Sequence, residues 1–461
     1  MKAWAWTLLA LALAAGPALA AARARLGGTL SIGLVGLAPP SADAAADSPE
    51  GASARALLAL PLCRLLPGAV PVLASLSRAS TGAGEEVQLV PVPGARFPDG
   101  TPLSAADVAD AWRRLARVDS PYLALLAPVA GLGQLLEEAP HRQGAALRLP
   151  LAYAWPDLEA SLCHPALTPY RPGAAGGAAQ GIALYTPGPQ GRLLANRGAP
   201  GGPVFPSALS FSSLPARTAQ RLLQKGDVQV LLGEAPAAPA SALLYATYLV
   251  YTPASLPEGA LGALQALDVD ALVRTFVPGP AVALHGLLPP SLLDGPAPAP
   301  AAAPPVAKAV ARPFTLGYAA GAPDQRAVAE RLQVLLHDAG YPVRLHADTP
   351  AGLVQARRAG GVQAALVSVL LPPLPAPALA LVLGLAQDGQ LLQRELPALG
   401  AEADGAARAG RVAQRARALA KDVPVLPLYV RGLRASLADG LLDAHRDGFG
   451  LLVLDDAWLA R

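Results

Sequence analysis

The sequence is poor in cysteine, in aromatic residues and in charge. Its 461 residues include two Cys and one Met, with 5% aromatic and 15% charged residues. The two cysteines do not form a Cys-x-x-Cys pair, so they give no pattern typical of a metal site. The formal net charge is only +3, without a long basic block, which argues against a nucleic-acid partner. Because 53% of the residues are hydrophobic, general disorder is excluded, and the length allows two or three domains.

The motifs of common catalytic sites are also missing. The sequence contains no G-x-x-x-x-G-K-[ST] phosphate loop, no H-E-x-x-H zinc motif and no G-x-S-x-G nucleophile motif. The six histidines are scattered along the chain, at His141, His164, His285, His337, His346 and His445. We therefore expect no enzyme active site, no cofactor and no metal, and we interpret the histidines as structural or solvent-facing.

The first 20 residues have the pattern of a secretory signal. Lys2 supplies the positive start, Thr7–Ala15 the apolar core and Ala18–Ala20 an A-x-A cleavage site. An uncleaved membrane anchor is the alternative, but the apolar core is shorter than the ~20 residues that a membrane span needs. We expect cleavage after Ala20 and release into the periplasm. No cysteine follows the cleavage site, so a lipid anchor is not expected.

The stretch Arg96–Leu115 combines a tight turn with the start of a helix. Phe97–Gly100 contains Pro, Asp and Gly, the residues that favour turns. Ser104, followed three residues later by Asp107, predicts a capping box. An amphipathic helix is predicted after this box, with one apolar face formed by Val108, Trp112 and Leu115.

The pattern F-x-D-G-x-P-L-[ST]-A-x-D-V within this stretch resembles a signature of solute-binding proteins that serve peptide/nickel-type ABC transporters. These include the oligopeptide- and dipeptide-binding proteins. Ser120–Tyr122 and Leu125–Val129 are similar to the segment that follows the signature. The resemblance implies an α/β fold, the two-lobed type II periplasmic binding protein fold. It has mostly parallel sheets flanked by helices, with an extra subdomain in the first lobe.

The best periodic region lies later in the chain. Phe314–Tyr318, Tyr341–His346 and Val362–Leu371 are predicted strands, separated by two predicted helices that begin near Asp324 and Pro350. This β-α-β-α-β series indicates a largely parallel sheet with helices on both faces. It resembles the second lobe of the same proteins. A membrane span within 362–386 is the alternative, but four prolines interrupt that segment.

The resemblance also implies the domain boundaries. Residues 1–20 form the signal sequence, and 21–250 form lobe I, with the subdomain at about 51–164. Residues 251–424 form lobe II, including a Pro/Ala-rich linker at 294–313. Residues 425–461 return to lobe I.

The resemblance implies a function in transport. Such a protein captures a small or peptide-like solute between its lobes and delivers it to an ABC permease in the inner membrane, and we expect a monomer. The strand at Val362–Leu371 is followed in relatives by an acidic residue that holds the peptide amino terminus, whereas Ser368–Pro373 contains no carboxylate. We therefore expect a ligand without a free ammonium group. Tyr248 and Tyr251 are candidate aromatic walls of the cleft, and Ser368 is a candidate polar contact.

Two questions remain open from the sequence. Cys63 and Cys163 can pair in an oxidising compartment or remain as two buried thiols. The missing aromatic residues and cleft acid also permit a second function, that of a degenerate relative that no longer transports and acts as a sensory or structural partner. A third alternative is a secreted enzyme on a borrowed fold.

Overall fold

The computed structural model describes residues 27–37, 49–66, 68–82, 84–137, 146–171, 180–189, 192–196, 198–200, 204–233, 243–293, 312–402 and 404–459. The expected signal sequence and most of the Pro/Ala-rich linker lie outside these residues.

Helices and strands alternate along the described chain. The strands are β1 (Thr29–Leu34), β2 (Cys63–Leu66), β3 (Gly68–Pro71), β4 (Ala74–Thr81), β5 (Gly84–Pro91), β6 (Leu147–Pro150), β7 (Tyr170–Arg171), β8 (Gln180–Gly181), β9 (Tyr185–Pro187), β10 (Leu193–Ala195), β11 (Ala208–Ser213), β12 (Val230–Leu232), β13 (Tyr245–Tyr251), β14 (Ala281–Ala283), β15 (Phe314–Ala319), β16 (Val343–Asp348), β17 (Ala364–Leu370), β18 (Val425–Arg431), β19 (Ala435–Leu437), β20 (Leu441–Leu442), β21 (His445–Arg446), β22 (Leu452–Val453) and β23 (Trp458–Leu459). The α-helices are α1 (Pro49–Ala56), α2 (Ala105–Arg117), α3 (Leu132–Glu137), α4 (Leu158–Leu162), α5 (Ala216–Lys225), α6 (Ala260–Gln265), α7 (Val269–Phe276), α8 (Pro323–Asp338), α9 (Pro350–Arg358), α10 (Pro375–Leu385), α11 (Gly389–Gly400) and α12 (Gly405–Leu419). Short 3₁₀ helices lie at Pro121–Leu126, Pro165–Leu167, Pro253–Ser255 and Pro290–Leu292.

The first lobe is built on a six-stranded sheet with the order β19-β12-β1-β11-β10-β9. β1 lies in its centre and runs parallel to both β11 and β12, while the outer pairs are antiparallel. Leu30, Ile32 and Leu34 of β1 are almost fully buried. Their spacing of two residues places these side chains on one face of the sheet, where they join the main core.

The subdomain contains the sheet β4-β5-β6 and helix α2. The capping box is confirmed, since the Ser104 side chain accepts from the Asp107 N–H and the Asp107 carboxylate accepts from the Ser104 N–H. Trp112 is fully buried, and its indole N–H donates to the Leu167 carbonyl at 3.2 Å. A disulfide joins Cys63 and Cys163 across 100 residues of sequence.

The second lobe is built on a sheet with the order β14-β18-β13-β17-β15-β16. β15 runs parallel to β16 and β17, as the β-α-β-α-β pattern predicts. The pairs formed by β13, β14 and β18 are antiparallel, so both large sheets are mixed rather than mostly parallel. The antiparallel strands β13 and β18 are the ones by which the chain enters and leaves this lobe.

The strand pairing changes the expected lobe boundaries. β13 was expected at the end of lobe I and β18 in the return to it, but both belong to the second sheet because they pair with each other and β13 pairs with β17. The two crossings between lobes therefore lie between β12 and β13 and between β18 and β19. They meet where Gly233 donates from its N–H to the Arg434 carbonyl at 2.8 Å. Gly233 has a φ of +97°, and a Cβ there would lie 2.2 Å from the Val35 carbonyl oxygen, so this crossing requires glycine.

Helix α10 is apolar on all sides and buried. It packs against the 3₁₀ helix at 121–126, and a Cβ on Gly384 would lie 2.6 Å from the Ala124 side chain. The main core consequently contains residues of both lobes and of the subdomain. No helix among the described residues is long and apolar enough to cross a membrane.

Candidate functional site between the lobes

The structure buries the two candidate tyrosines, Tyr248 and Tyr251, within the second lobe's sheet. β13 has a strand on each side, and all seven of its residues are buried. The Tyr248 hydroxyl donates to the Leu287 carbonyl at 2.7 Å, and Tyr251 packs into the second lobe's core. Their interpretation as cleft walls needs correction, because alternating aromatic and small residues here fill both faces of a central strand.

Ser368 lies half-buried at the carboxyl end of β17, within a chain of polar side chains. Its hydroxyl lies 2.7 Å from the Thr247 hydroxyl and accepts from the Gln325 amide at 2.7 Å. The Gln325 carbonyl in turn accepts from the Ala319 N–H. The polar contact expected at Ser368 is thus made by the protein itself. Ligands of open α/β sheets commonly bind at this carboxyl edge.

A buried charge cluster lies close to this polar chain. Arg431, at the end of β18, contacts Glu50 at 3.1 Å and Asp324 at 3.1 Å. Glu50 also accepts from the Arg434 guanidinium at 3.0 Å, and Asp324 accepts from the Tyr429 hydroxyl at 3.1 Å. Glu50 and Asp324 both lie in the first turn of a helix, where the helix dipole favours negative charge.

The cluster is charge-balanced. Burial alone would raise the pKa of Glu50, but Arg431 and Arg434 lower it to about 2. Burial would lower the pKa of Arg431, yet Glu50 and Asp324 raise it above its usual range. Glu50 and Arg431 are therefore both charged at neutral pH, and each carboxylate of the cluster has an arginine partner.

Two side chains of the subdomain, those of Tyr122 and His164, cap the end of β17. This strand pairs with β15 only through Ala364 and Ala365, so its far end is not bound by that neighbour. There the Leu370 N–H donates to the Tyr122 hydroxyl at 3.1 Å, and the His164 Nε2 lies 2.8 Å from the Leu370 carbonyl oxygen. His164 Nδ1 accepts from the Ala166 N–H, which leaves Nε2 as the donor. Burial lowers the pKa of His164 to about 3, so this imidazole is neutral.

A solvent-open cavity of about 690 Å³ lies next to this capped strand end. It is bounded by the subdomain, by the segment after β17 and by the C-terminal return. Its lining comprises Leu65, Ala69, Pro156, Asp157, Glu159, Ala160, Pro373, Leu374, Arg446, Asp447 and Gly448. The volume falls within the range of ordinary small-molecule sites.

The charged groups of the cavity differ in their partners. Asp157 pairs with Arg408 and Glu159 pairs with Arg78. Asp447 accepts only backbone N–H groups, from Phe449 and Leu451, among the described residues.

Burial raises the pKa of Asp447 to about 6. Arg446 donates to two backbone carbonyls, and burial lowers its pKa. Arg446 and Asp447 therefore line the cavity without a salt-bridge partner among the described residues.

Sequence reasoning missed Glu50, Arg431 and Asp447. The sequence does contain a signal for Arg431, because this arginine directly follows the strand residues Leu428–Val430. No local pattern marks Glu50, which meets Arg431 across 381 residues of sequence.

Comparison with known structures identifies the architecture. The Escherichia coli murein tripeptide binding protein MppA aligns with a TM-score of 0.66 at 14% identity, over 94% of this chain and 98% of that chain. The Burkholderia pseudomallei protein OppA gives a TM-score of 0.67 at 17% identity, over 94% and 99% of the two chains. The oligopeptide-binding protein AppA from Bacillus subtilis, in complex with a nonapeptide, gives 0.62 at 16% identity, over 95% and 100%.

The chain has the two-lobed fold of these binding proteins. The resemblance drawn from the sequence is thereby confirmed at the level of the fold. No family model matches the sequence, and no curated protein matches it.

Proposed function

We propose that this protein is an extracytoplasmic solute-binding protein that captures a small or peptide-like solute between its lobes and passes it to a membrane permease. It performs no covalent chemistry. The observation that carries the proposal is the cavity between the subdomain, the second lobe and the C-terminal return, with Arg446 and Asp447 at its wall. The fold, and the signal pattern at residues 1–20, support a location outside the cytoplasm.

The proposed binding site does not depend on the acid that the resemblance implies after β17 in relatives. Its carboxylates come from the subdomain and the return segment instead. Two of the three are neutralised by arginines, so they shape the wall rather than attract a cation. The preference for a ligand without a free ammonium group stays a prediction.

The test uses a variant that fills the cavity. Ala69 lines it and is exposed, whereas its neighbour Val70 does not line it. Ala69→Trp should abolish co-purification of the solute. Co-purification is measured by mass spectrometry of the material that the wild-type protein and each variant release. Val70→Trp is the matched control and should retain it, because adjacent strand residues point to opposite faces. An empty wild-type protein, or a solute retained by Ala69→Trp, would count against the proposal.

A second function, that of a non-transporting sensory or structural partner, is favoured by one observation. The lobes are joined by contacts that need no solute, including the bonds from Tyr122 and His164 to Leu370. The same mass spectrometry separates the two functions, since a partner of this kind should be recovered without a solute.

A further inference from the structure

The returning crossing between the lobes is short and is held at both ends by one carboxylate. β18 ends at Arg431 and β19 begins at Ala435, so the crossing consists of Gly432, Leu433 and Arg434. Glu50 bonds to Arg431 on the second-lobe side at 3.1 Å. It also accepts from the Arg434 backbone N–H at 2.9 Å, on the first-lobe side.

Glu50 is fixed on the first-lobe side of the crossing. Its helix α1 packs into the main core through Ala52 and Ala54, and the Ser53 hydroxyl accepts from the Leu452 N–H in the C-terminal return. Asp324 holds the opposite side of Arg431 from within the second lobe. The carboxylate, its helix and the crossing therefore form one bonded unit.

Opening the lobes requires a change of backbone angles at such a crossing. With Glu50 in place, that change must break charge-assisted hydrogen bonds to Arg431 or Arg434. The exposed fractions of Glu50 and Arg431 are 0% and 2%, so water cannot replace the lost bonds unless the lobes separate. A buried charge that loses its partner is strongly unfavourable.

We propose that Glu50 braces the interlobe hinge, so that the lobes stay closed when no solute is bound. In an unbraced two-lobed protein the closed form needs the differential affinity of the ligand. Here the protein's own contacts, that of Glu50 with Arg431 among them, stabilise the closed form. The brace sets the resting conformation, and neither Glu50 nor Arg434 lines the cavity.

The experiment measures the distance between the lobes in solute-stripped protein. Both native cysteines are in the disulfide, so Gln220→Cys on α5 and Val334→Cys on α8 can carry spin labels specifically. Both positions are exposed. The otherwise native protein should show one narrow distance distribution. Adding Glu50→Gln should broaden it and shift it to longer distances.

Glu330→Gln is the matched control, because Glu330 is exposed and pairs only with Arg326 on the same helix among the described residues. It should leave the distribution unchanged. A folded Glu50→Gln protein that keeps the native distribution would overturn the proposal, as would a broad distribution in the native protein.

A second measurement keeps the test valid if Glu50→Gln does not fold. Hydrogen exchange of the native protein reports directly on the Arg434 N–H, which donates to Glu50. We expect this amide to exchange as slowly as the most protected amides of the core. Exchange about tenfold faster than that of the β13 amides would show that the hinge opens without global unfolding and would overturn the brace.

Discussion

His164 and Leu370 are joined by a hydrogen bond between a buried imidazole and the end of a strand in the other lobe, at 2.8 Å. Tyr122 completes this contact, since its ring lies 4.8 Å from the imidazole and its hydroxyl accepts from the same leucine. The strand end is thus occupied by the protein's own side chains. In the proposed function the solute would bind beside this strand end, in the cavity near Pro373 and Leu374.

Acid should destabilise the protein through His164. Its pKa is about 3 in the folded chain, against 6.5 for an ordinary histidine, because it is fully buried. The unfolded state therefore gains its proton first, and stability falls as the pH drops from 6.5 towards 3. The groups that face it are Arg55, Tyr122 and Phe449.

His164→Gln should lack this part of the pH dependence, which amounts to about 3–5 kcal/mol over the full window. Urea unfolding of both proteins at pH 7 and pH 4.5 checks it. Equal losses of stability in the two proteins would mean that His164 is not the titrating group.

Trp112→Ala should destabilise the subdomain. The side chain is fully buried on the apolar face of α2 and donates to the Leu167 carbonyl. Truncation of a buried tryptophan costs about 3–5 kcal/mol. Denaturant unfolding measures it, with the exposed Arg117→Ala on the same helix as control. A change within about 0.5 kcal/mol, as surface substitutions give, would contradict the packing of this face.

The sequence predicts those structural features that depend on residues close together in the chain. The capping box of Ser104 and Asp107 and the apolar face with Trp112 follow from spacings of three and four residues. The position of β13 does not follow from such spacings, because an apolar strand has the same sequence pattern whether it lines a cleft or fills a core. The contact of Glu50 with Arg431 depends on how two distant segments fold together, and no periodicity encodes it.

Loss of the disulfide should weaken the wall of the cavity. Cys63 lies in β2 and Cys163 follows α4, and both elements supply cavity residues. The bond closes a loop of 100 residues, so the double change to alanine should cost about 2–5 kcal/mol. Unfolding with and without a reducing agent measures it. The reductant should lower the stability of the native protein only, and an equal effect on both proteins would contradict the assignment.

Asp447→Asn should stabilise the solute-stripped protein at neutral pH. Burial raises the pKa of this carboxyl to about 6, against 3.8 for an ordinary aspartate. Folding therefore carries a penalty that is fully present above pH 6 and vanishes below about 3.8. The charged groups that face it are Arg64 and His445, whose attraction does not cancel the effect of burial.

Asparagine removes the charge but keeps an oxygen that can accept from the N–H groups of Phe449 and Leu451. We expect a gain of about 1–3 kcal/mol at pH 7.5 and none at pH 3.8. Urea unfolding at the two pH values measures it. The pH dependence of stability that Asp447 causes is opposite to the one that His164 causes. The two contributions are therefore separable, because acid removes the penalty at Asp447 and introduces the penalty at His164. A variant that is less stable than the native protein at pH 7.5 would show that the ionised carboxylate is held by a favourable partner and is not a free charge at the cavity wall.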